Sequence, residues 1–133
     1  MNLQPTIQFL RPYLSAAQLS TLVQLCRGEE GEFFVRKLLD IQQLLVAMPR
    51  TYAQSDLGDS ATVHLHYFVG SCDWWITELD IEDGVSQAFG LGSLGYEPEM
   101  GYISITELIQ NGAELDLYWI PKPVSEIRSA LAV

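Results

Sequence analysis

Two histidines one residue apart, His64 and His66, have the spacing at which two imidazoles bind one metal ion. Alternation along a strand would place both rings on the same face of a sheet. If the following strand pairs with this one, Glu78 or Asp80 would add a carboxylate and complete a set that holds zinc or iron, with positions open for water or substrate. Two histidines at this spacing are more often hydrogen-bonded surface residues than metal ligands. The pattern is therefore compatible with a divalent metal cofactor but does not require one.

Other catalytic arrangements have little support in the sequence. Cys72 lies in a predicted turn, and no lysine or arginine stands near it to stabilise a thiolate. No serine occupies the Gly-x-Ser-x-Gly pattern of a nucleophile elbow. Glu97 and Glu99 are a carboxylate pair of the kind used in acid and base catalysis, but such pairs are frequent in an acid-rich chain. We therefore predict no catalytic residue and favour a protein that is not an enzyme.

Residues 90–95 match the G-x-G-x-x-G spacing of dinucleotide-binding turns. In that motif the glycines open a helix whose amide groups hold a pyrophosphate. Here Pro98 and Gly101 stand where the helix would run, and Glu97 and Glu99 would face the phosphates. The segment is instead predicted to be a glycine-rich loop with unusual backbone angles.

Charge is distributed very unevenly along the chain. Residues 51–121 contain no lysine or arginine, whereas the two ends are nearly balanced, and the net charge is −10. Such a surface repels nucleic-acid phosphates and anionic membranes and attracts basic protein surfaces. We therefore predict a protein partner with a basic surface, and no direct binding to nucleic acid or membrane. The predicted partner-binding residues are Glu78, Asp80, Glu82, Asp83, Glu97 and Glu99.

Length and composition are those of one globular domain. The 133 residues, of which 48% are hydrophobic, suffice for one compact core and are few for two. Residues 1–10 lack the basic and apolar regions of a signal peptide, and no apolar stretch approaches the ~20 residues that span a bilayer. We therefore expect a cytoplasmic protein in which Cys26 and Cys72 are reduced thiols.

Residues 1–50 have the pattern of helices. Apolar residues recur at helical spacing after Ser15, and Ser15 with Gln18 matches a capping box, in which the two side chains cap free amide groups. A longer helix is predicted over 29–47 and a shorter one over 6–14. Three helices are therefore expected before the first strand.

After residue 60 the apolar residues alternate, which is typical of strands. The predicted strands span 63–69, 74–79, 87–91, 101–105 and 115–120, and the predicted helices span 106–110 and 125–131. The fold class is therefore α+β, with N-terminal helices packed on a mostly antiparallel sheet of about five strands and two short C-terminal helices. We interpret residues 1–133 as a single domain, with a helical part over 1–50 and a sheet-containing part over 51–133.

Four segments carry a family resemblance. They are VHLHYF at 63–68, DWWITE at 73–78, LGYEPEMGYISITEL at 94–108 and LDLYWIP at 115–121. Over about residues 50–127 the chain resembles the bacterial family catalogued as domain of unknown function 2958. The resemblance implies an accessory protein of a plasmid, integrative element or phage, and the extension with CRGEE at 26–30 resembles a version common on integrative elements. It implies no reaction, so no active site is carried over.

Two hypotheses follow. The first is a non-catalytic acidic interaction protein of a mobile genetic element, which occupies a basic or nucleic-acid-binding surface of a host or element protein as a DNA mimic, in an anti-defence or regulatory role. The second is a small metal-binding protein or metal-dependent enzyme centred on His64 and His66. An exposed edge strand, or the aromatic residues Trp74 and Trp75, would support a homodimer. Acidity that serves only solubility is the plainer alternative to the first hypothesis.

Overall fold

A computed structural model describes residues 2–132. Within that range the chain forms five helices, seven strands and a short 3₁₀ turn at Gly58–Ser60. The helices are α1 (Gln4–Leu10), α2 (Ala16–Leu25), α3 (Gly31–Ala47), α4 (Ile105–Gln110) and α5 (Val124–Leu131). The strands are β1 (Thr62–Val63), β2 (Leu65–Val69), β3 (Cys72–Asp80), β4 (Gly84–Ser93), β5 (Glu99–Ile103), β6 (Glu114–Leu115) and β7 (Lys122–Pro123).

Five strands form one antiparallel sheet in the order β5-β4-β3-β2-β6, and β1 pairs with β7 in a separate two-stranded ribbon. The predicted hairpin is confirmed, with Leu65 opposite Ile76 and His66 opposite Trp75. Because side chains alternate along a strand, Trp74 and Trp75 lie on opposite faces of this sheet. The α+β fold class is confirmed as well.

Helices α1, α2 and α3 cover one face of the sheet. Leu38 and Leu45 of α3 are fully buried in the same cluster as Tyr67 and Ile76 of the sheet. The hydroxyl of Tyr67 also donates a hydrogen bond of 2.6 Å to the backbone oxygen of Tyr13. The prediction that the N-terminal helices pack on the sheet is therefore confirmed.

The opposite face is covered by the C-terminal part of the chain. A second apolar cluster joins Trp75 and Leu91 of the sheet to Val124 and Ile127 of α5. Since α5 begins directly after β7, the ribbon of β1 and β7 anchors this helix beside the sheet. The sheet therefore lies between two apolar layers, with the larger one on the side of the N-terminal helices.

The predicted cap of α2 forms only in part. Ser15 Oγ accepts a hydrogen bond of 3.1 Å from the Gln18 amide. The Gln18 side chain does not turn back to Ser15. Its Nε2 donates to the Leu115 oxygen at 2.8 Å, and its Oε1 accepts from the Leu115 amide at 2.9 Å. Gln18 therefore connects α2 to the edge strand β6.

One strand prediction and one loop prediction need correction. The strand expected over 115–120 ends at Leu115, because the Asp116 carboxylate accepts a hydrogen bond of 3.0 Å from the Tyr118 amide and so turns the chain. Gly90 and Gly92 belong to strand β4 rather than to a loop. Gly95 alone of the motif glycines has a positive φ, of 90°. No helix of residues 2–132 is long and apolar enough to cross a membrane.

Candidate functional site

Two glycines leave part of the helix-facing side of the sheet without side chains. Gly101 of β5 lies two residues before Ile103, which is buried in the larger core, so both positions face the helices. Gly92 lies opposite Glu99 on this face. A Cβ atom added to Gly101 would have no neighbour within 4 Å, so the floor there is open.

Trp74 and the 94–97 loop form the sides of a groove above this floor. A Cβ atom at Gly92 would lie 3.4 Å from Trp74 Cδ1, so the indole lies beside this glycine. The resulting hollow has a volume of about 370 Å³. We call it the glycine groove and define it by Trp74, Gly92, Leu94, Tyr96, Glu97, Glu99 and Gly101.

The glycine groove is aromatic and acidic. Tyr96 is 82% exposed, and Glu97 and Glu99 are exposed beside it. A second hollow of about 380 Å³ adjoins it at Trp74 and is bordered by Glu107 of α4. Within the range that the structure describes, no lysine or arginine lines either hollow. Among residues 2–132, neither the Glu97 nor the Glu99 carboxylate has a hydrogen-bond or salt-bridge partner. The structure thus brings two of the predicted partner-binding residues together beside the half-buried ring of Trp74 and the exposed ring of Tyr96.

Glu78 and Asp80 have a different environment. Glu78 is 3% exposed and accepts hydrogen bonds from the Tyr52 amide at 2.9 Å and from the Thr77 hydroxyl at 2.7 Å. Asp80 is 8% exposed and accepts 2.9 Å bonds from the amides of Glu82 and Gln87. Both carboxylates satisfy backbone donors beneath the surface, so the expectation that they contact a partner directly is corrected.

Glu82 and Asp83, the remaining predicted partner-binding residues, are exposed in the turn between β3 and β4. Asp83 closes this turn by accepting hydrogen bonds from the Ser86 hydroxyl, the Ser86 amide at 2.9 Å and the Val85 amide at 3.0 Å. The bonds from Ser86 are the main cause that holds the pKa of Asp83 at about 2. The turn is therefore built on a carboxylate that remains ionised at neutral pH.

His66 lies on the opposite face of the sheet, between two carboxylates. Its Nε2 is 2.8 Å from Asp73 Oδ1 and its Nδ1 is 3.1 Å from Asp116 Oδ2. The ring stacks on Trp75, with 5.3 Å between centroids and 7° between planes, and Trp119 lies 5.3 Å away. Ionised carboxylates only accept hydrogen bonds, so the ring donates to both of them only when it carries two protons. We call these residues the histidine cluster: His66, Asp73, Trp75, Asp116 and Trp119.

His64 does not join the histidine cluster through the predicted carboxylates. It lies between β1 and β2, half-buried, and this burial lowers its pKa. The expected set of two histidines with Glu78 or Asp80 does not form, because those carboxylates bind backbone amides elsewhere. Within residues 2–132 no group of three or more His, Cys, Asp or Glu side chains could hold a metal ion. Metal binding at His64 and His66 stays a prediction.

Sequence reasoning missed Tyr52. This residue has a φ of 78°, which is rare for a side chain of this size, and the buried Glu78 carboxylate holds its amide. Its hydroxyl is 2.5 Å from the hydroxyl of Tyr102, and this bond is the first cause of the raised pKa of Tyr102. Tyr52 thus connects the segment after α3 to strand β5. No sequence pattern indicates a left-handed tyrosine.

A protein-family model described as "Protein of unknown function (DUF2958)" matches residues 38–120, more than half of the chain. The matched region runs from within α3 to the residue before Pro121, and so contains both the glycine groove and the histidine cluster. No curated protein and no solved structure matches the chain. The resemblance seen in the sequence is thereby confirmed, and the chain belongs to the DUF2958 family of proteins of unknown function.

Proposed function

We propose that this protein is a non-catalytic interaction protein that binds a basic surface of another protein through the glycine groove. The observation that carries the proposal is the pairing of two aromatic rings, one half-buried and one exposed, with carboxylates that have no partner among residues 2–132. Trp74 and Tyr96 border the groove beside Glu97 and Glu99, and no cationic side chain of the described part of the chain lines it.

Lysine and arginine side chains fit this combination. A cation over an aromatic face contributes ~0.5–2 kcal/mol, and an exposed ion pair contributes ~0–1 kcal/mol. The affinity would therefore come from several such contacts together, and long-range attraction to the net charge of −10 would accelerate association. The same lysines and arginines bind phosphate, so the protein would compete with nucleic acid for its partner as a DNA mimic does.

The biological setting of the proposal rests on the resemblance to accessory proteins of mobile genetic elements. It favours a partner among host proteins or proteins of the element, and an anti-defence or regulatory role. An acidic protein that covers a nucleic-acid-binding surface would act in either role without any catalytic residue.

Affinity capture with matched variants tests the proposal. The native protein, Glu97→Gln/Glu99→Gln and Glu29→Gln/Glu30→Gln would each be used to capture proteins from a bacterial lysate at low and at high salt. The control variant removes the same charge from the exposed loop between α2 and α3. We expect a protein with a basic surface that the native protein and the control retain, and that the groove variant and high salt release. Equal retention by all three proteins would contradict the proposal.

The alternative, a divalent metal at His64 and His66, has a separate test. It predicts stoichiometric zinc, iron or manganese in protein purified without a histidine tag, and loss of that metal in His64→Ala/His66→Ala. Because Asp73 and Asp116 occupy both ring nitrogens of His66, a metal would have to displace one of them. Protein without metal after dialysis against micromolar metal would exclude this alternative.

A further inference from the structure

Strand β5 has one free edge. It pairs with β4 along Glu99–Ile103 and is the last strand of the sheet. Among residues 2–132, its backbone makes no hydrogen bond on the other side. Alternate amide and carbonyl groups of β5 therefore point outward without a partner strand, which is the geometry that accepts an added strand.

This free edge adjoins the glycine groove. Glu99 and Gly101 belong to β5 and face the groove, while Trp74 borders its far side. A strand added to β5 would place every second side chain on the groove face of the sheet. Those side chains would meet the Glu99 carboxylate and the open floor at Gly101.

We propose that the partner contributes an extended, arginine-bearing segment that pairs with β5 and lays a guanidinium group on the Gly101 floor, between Trp74 and Glu99. The inference rests on the proposed function and specifies the form of the partner. Backbone hydrogen bonds to β5 give affinity, and the groove selects the side chain. Arginine fits better than lysine because its planar group stacks on an aromatic ring while it donates to a carboxylate.

A second copy of this chain fits the edge less well. Pairing of two β5 strands would set two acidic grooves side by side, and their like charges would repel each other. Each copy also carries a net charge of −10. The charge of the groove therefore favours a basic segment over self-association.

Synthetic peptides test the inference on the native protein. The first alternates arginine with valine and threonine, and the second replaces each arginine by neutral citrulline. Two further arginine peptides carry N-methyl groups on one or the other set of alternate amides, so that only one of them loses the amides that would face β5. We expect calorimetry at low salt to show binding of the first peptide, about tenfold weaker binding of the citrulline peptide, and loss of binding for one methylated peptide alone.

Gly101→Val tests the floor of the groove. Its side chain meets no atom within 4 Å of Cβ and valine is favourable in strands, so the variant should fold. We expect it to bind the arginine peptide about tenfold more weakly than the native protein. Gly28→Ala is the control, because its Cβ makes only an ordinary 3.6 Å contact with the Leu25 oxygen and Gly28 does not line the groove.

The outcomes separate this inference from the proposed function. Binding that depends on arginine but is equal for both methylated peptides and unchanged in Gly101→Val would overturn strand addition and leave an acidic binding surface. Absence of binding by any arginine peptide would overturn the inference, while lysate capture would still decide the proposed function. A dimer in sedimentation that Gly101→Val dissociates would assign the edge to a second copy and likewise overturn it.

Discussion

The glycine groove and the histidine cluster lie on opposite faces of one sheet and use carboxylates in opposite ways. In the histidine cluster, Asp73 and Asp116 each contact a ring nitrogen of His66. In the glycine groove, Glu97 and Glu99 have no partner among the residues that the structure describes. The first arrangement is internally satisfied, whereas the second leaves negative charge for another molecule.

This difference shows how little a count of acidic residues says about binding. Glu78 and Asp80 belong to the same acidic stretch as Glu97 but lie buried against backbone amides. A carboxylate that satisfies buried donors stabilises the fold, and its loss leaves those donors unpaired. An exposed carboxylate without a partner contributes little to stability and can be changed at small cost. The burial and hydrogen bonding of each carboxylate, rather than the number of acidic residues, therefore decide whether it stabilises the fold or is available for binding.

The largest change in the free energy of unfolding is expected for a substitution at Glu78. Glu78→Ala removes the acceptor of the Tyr52 amide and leaves a cavity in a site that is 3% exposed. We expect a loss of about 3 kcal/mol in the free energy of unfolding, measured by urea denaturation. Glu97→Ala is the matched control and should change it by less than about 0.5 kcal/mol. Similar losses of unfolding free energy in the two variants would contradict the distinction between hydrogen-bonded carboxylates and carboxylates without a partner.

A smaller loss is expected in the histidine cluster. His66→Ala removes both carboxylate contacts and the stacking on Trp75, and it leaves Asp73 and Asp116 facing an empty space. We expect a loss of about 2 kcal/mol in the free energy of unfolding, without a change in capture of a basic partner. If the variant lost the partner but kept its stability, the histidine cluster would belong to the binding surface.

Much of the fold follows from local sequence patterns. Alternation predicts the β2–β3 hairpin, and helical spacing predicts α3 within two residues of its observed start at Gly31. The strand expected over 115–120 was wrong because Asp116 bonds to the Tyr118 amide, a local contact that hydrophobic alternation does not report. Local patterns thus identify elements well and locate their ends less well.

The candidate site could be predicted from the sequence only in part. Glu97 and Glu99 stand out as acidic residues, but the groove itself depends on the register that brings Gly101 beside β4 and Trp74 beside Gly92. The register between two paired strands does not follow from the residue spacing within either strand. For the same reason the carboxylates near His66 were misassigned, since Asp116 reaches it from beyond α4.

The carboxylates of the glycine groove can be tested for the opposite result, an effect on binding without an effect on stability. Glu97→Gln/Glu99→Gln removes two charges that bind nothing among residues 2–132, so we expect the free energy of unfolding to stay within about 0.5 kcal/mol of the native value. The same variant should lose the salt-sensitive capture of a basic partner. A destabilised variant would show that these carboxylates serve the fold, and their assignment to a partner would then fail.

Asp83 combines the two cases, because it is exposed and yet holds the turn between β3 and β4 through Ser86 and Val85. Its pKa in the fold, about 2, lies below the ordinary value of 3.8. A lowered pKa means that the ionised form favours the fold, so this contribution is complete above pH 3.8 and is lost as the pH falls toward 2.

Asp83→Asn should therefore melt at a lower temperature than the native protein at neutral pH and show a smaller fall in melting temperature between pH 5 and pH 2, so that the two proteins converge at low pH. Thermal unfolding followed by circular dichroism measures this fall, and Glu82→Gln, one residue away and equally exposed, is the control. The effect is expected to be the smallest of the series because solvent screens an exposed charge. If the two variants fell equally with pH, the bonds from Ser86 would not stabilise the turn, and Asp83 would belong with the free carboxylates of the groove.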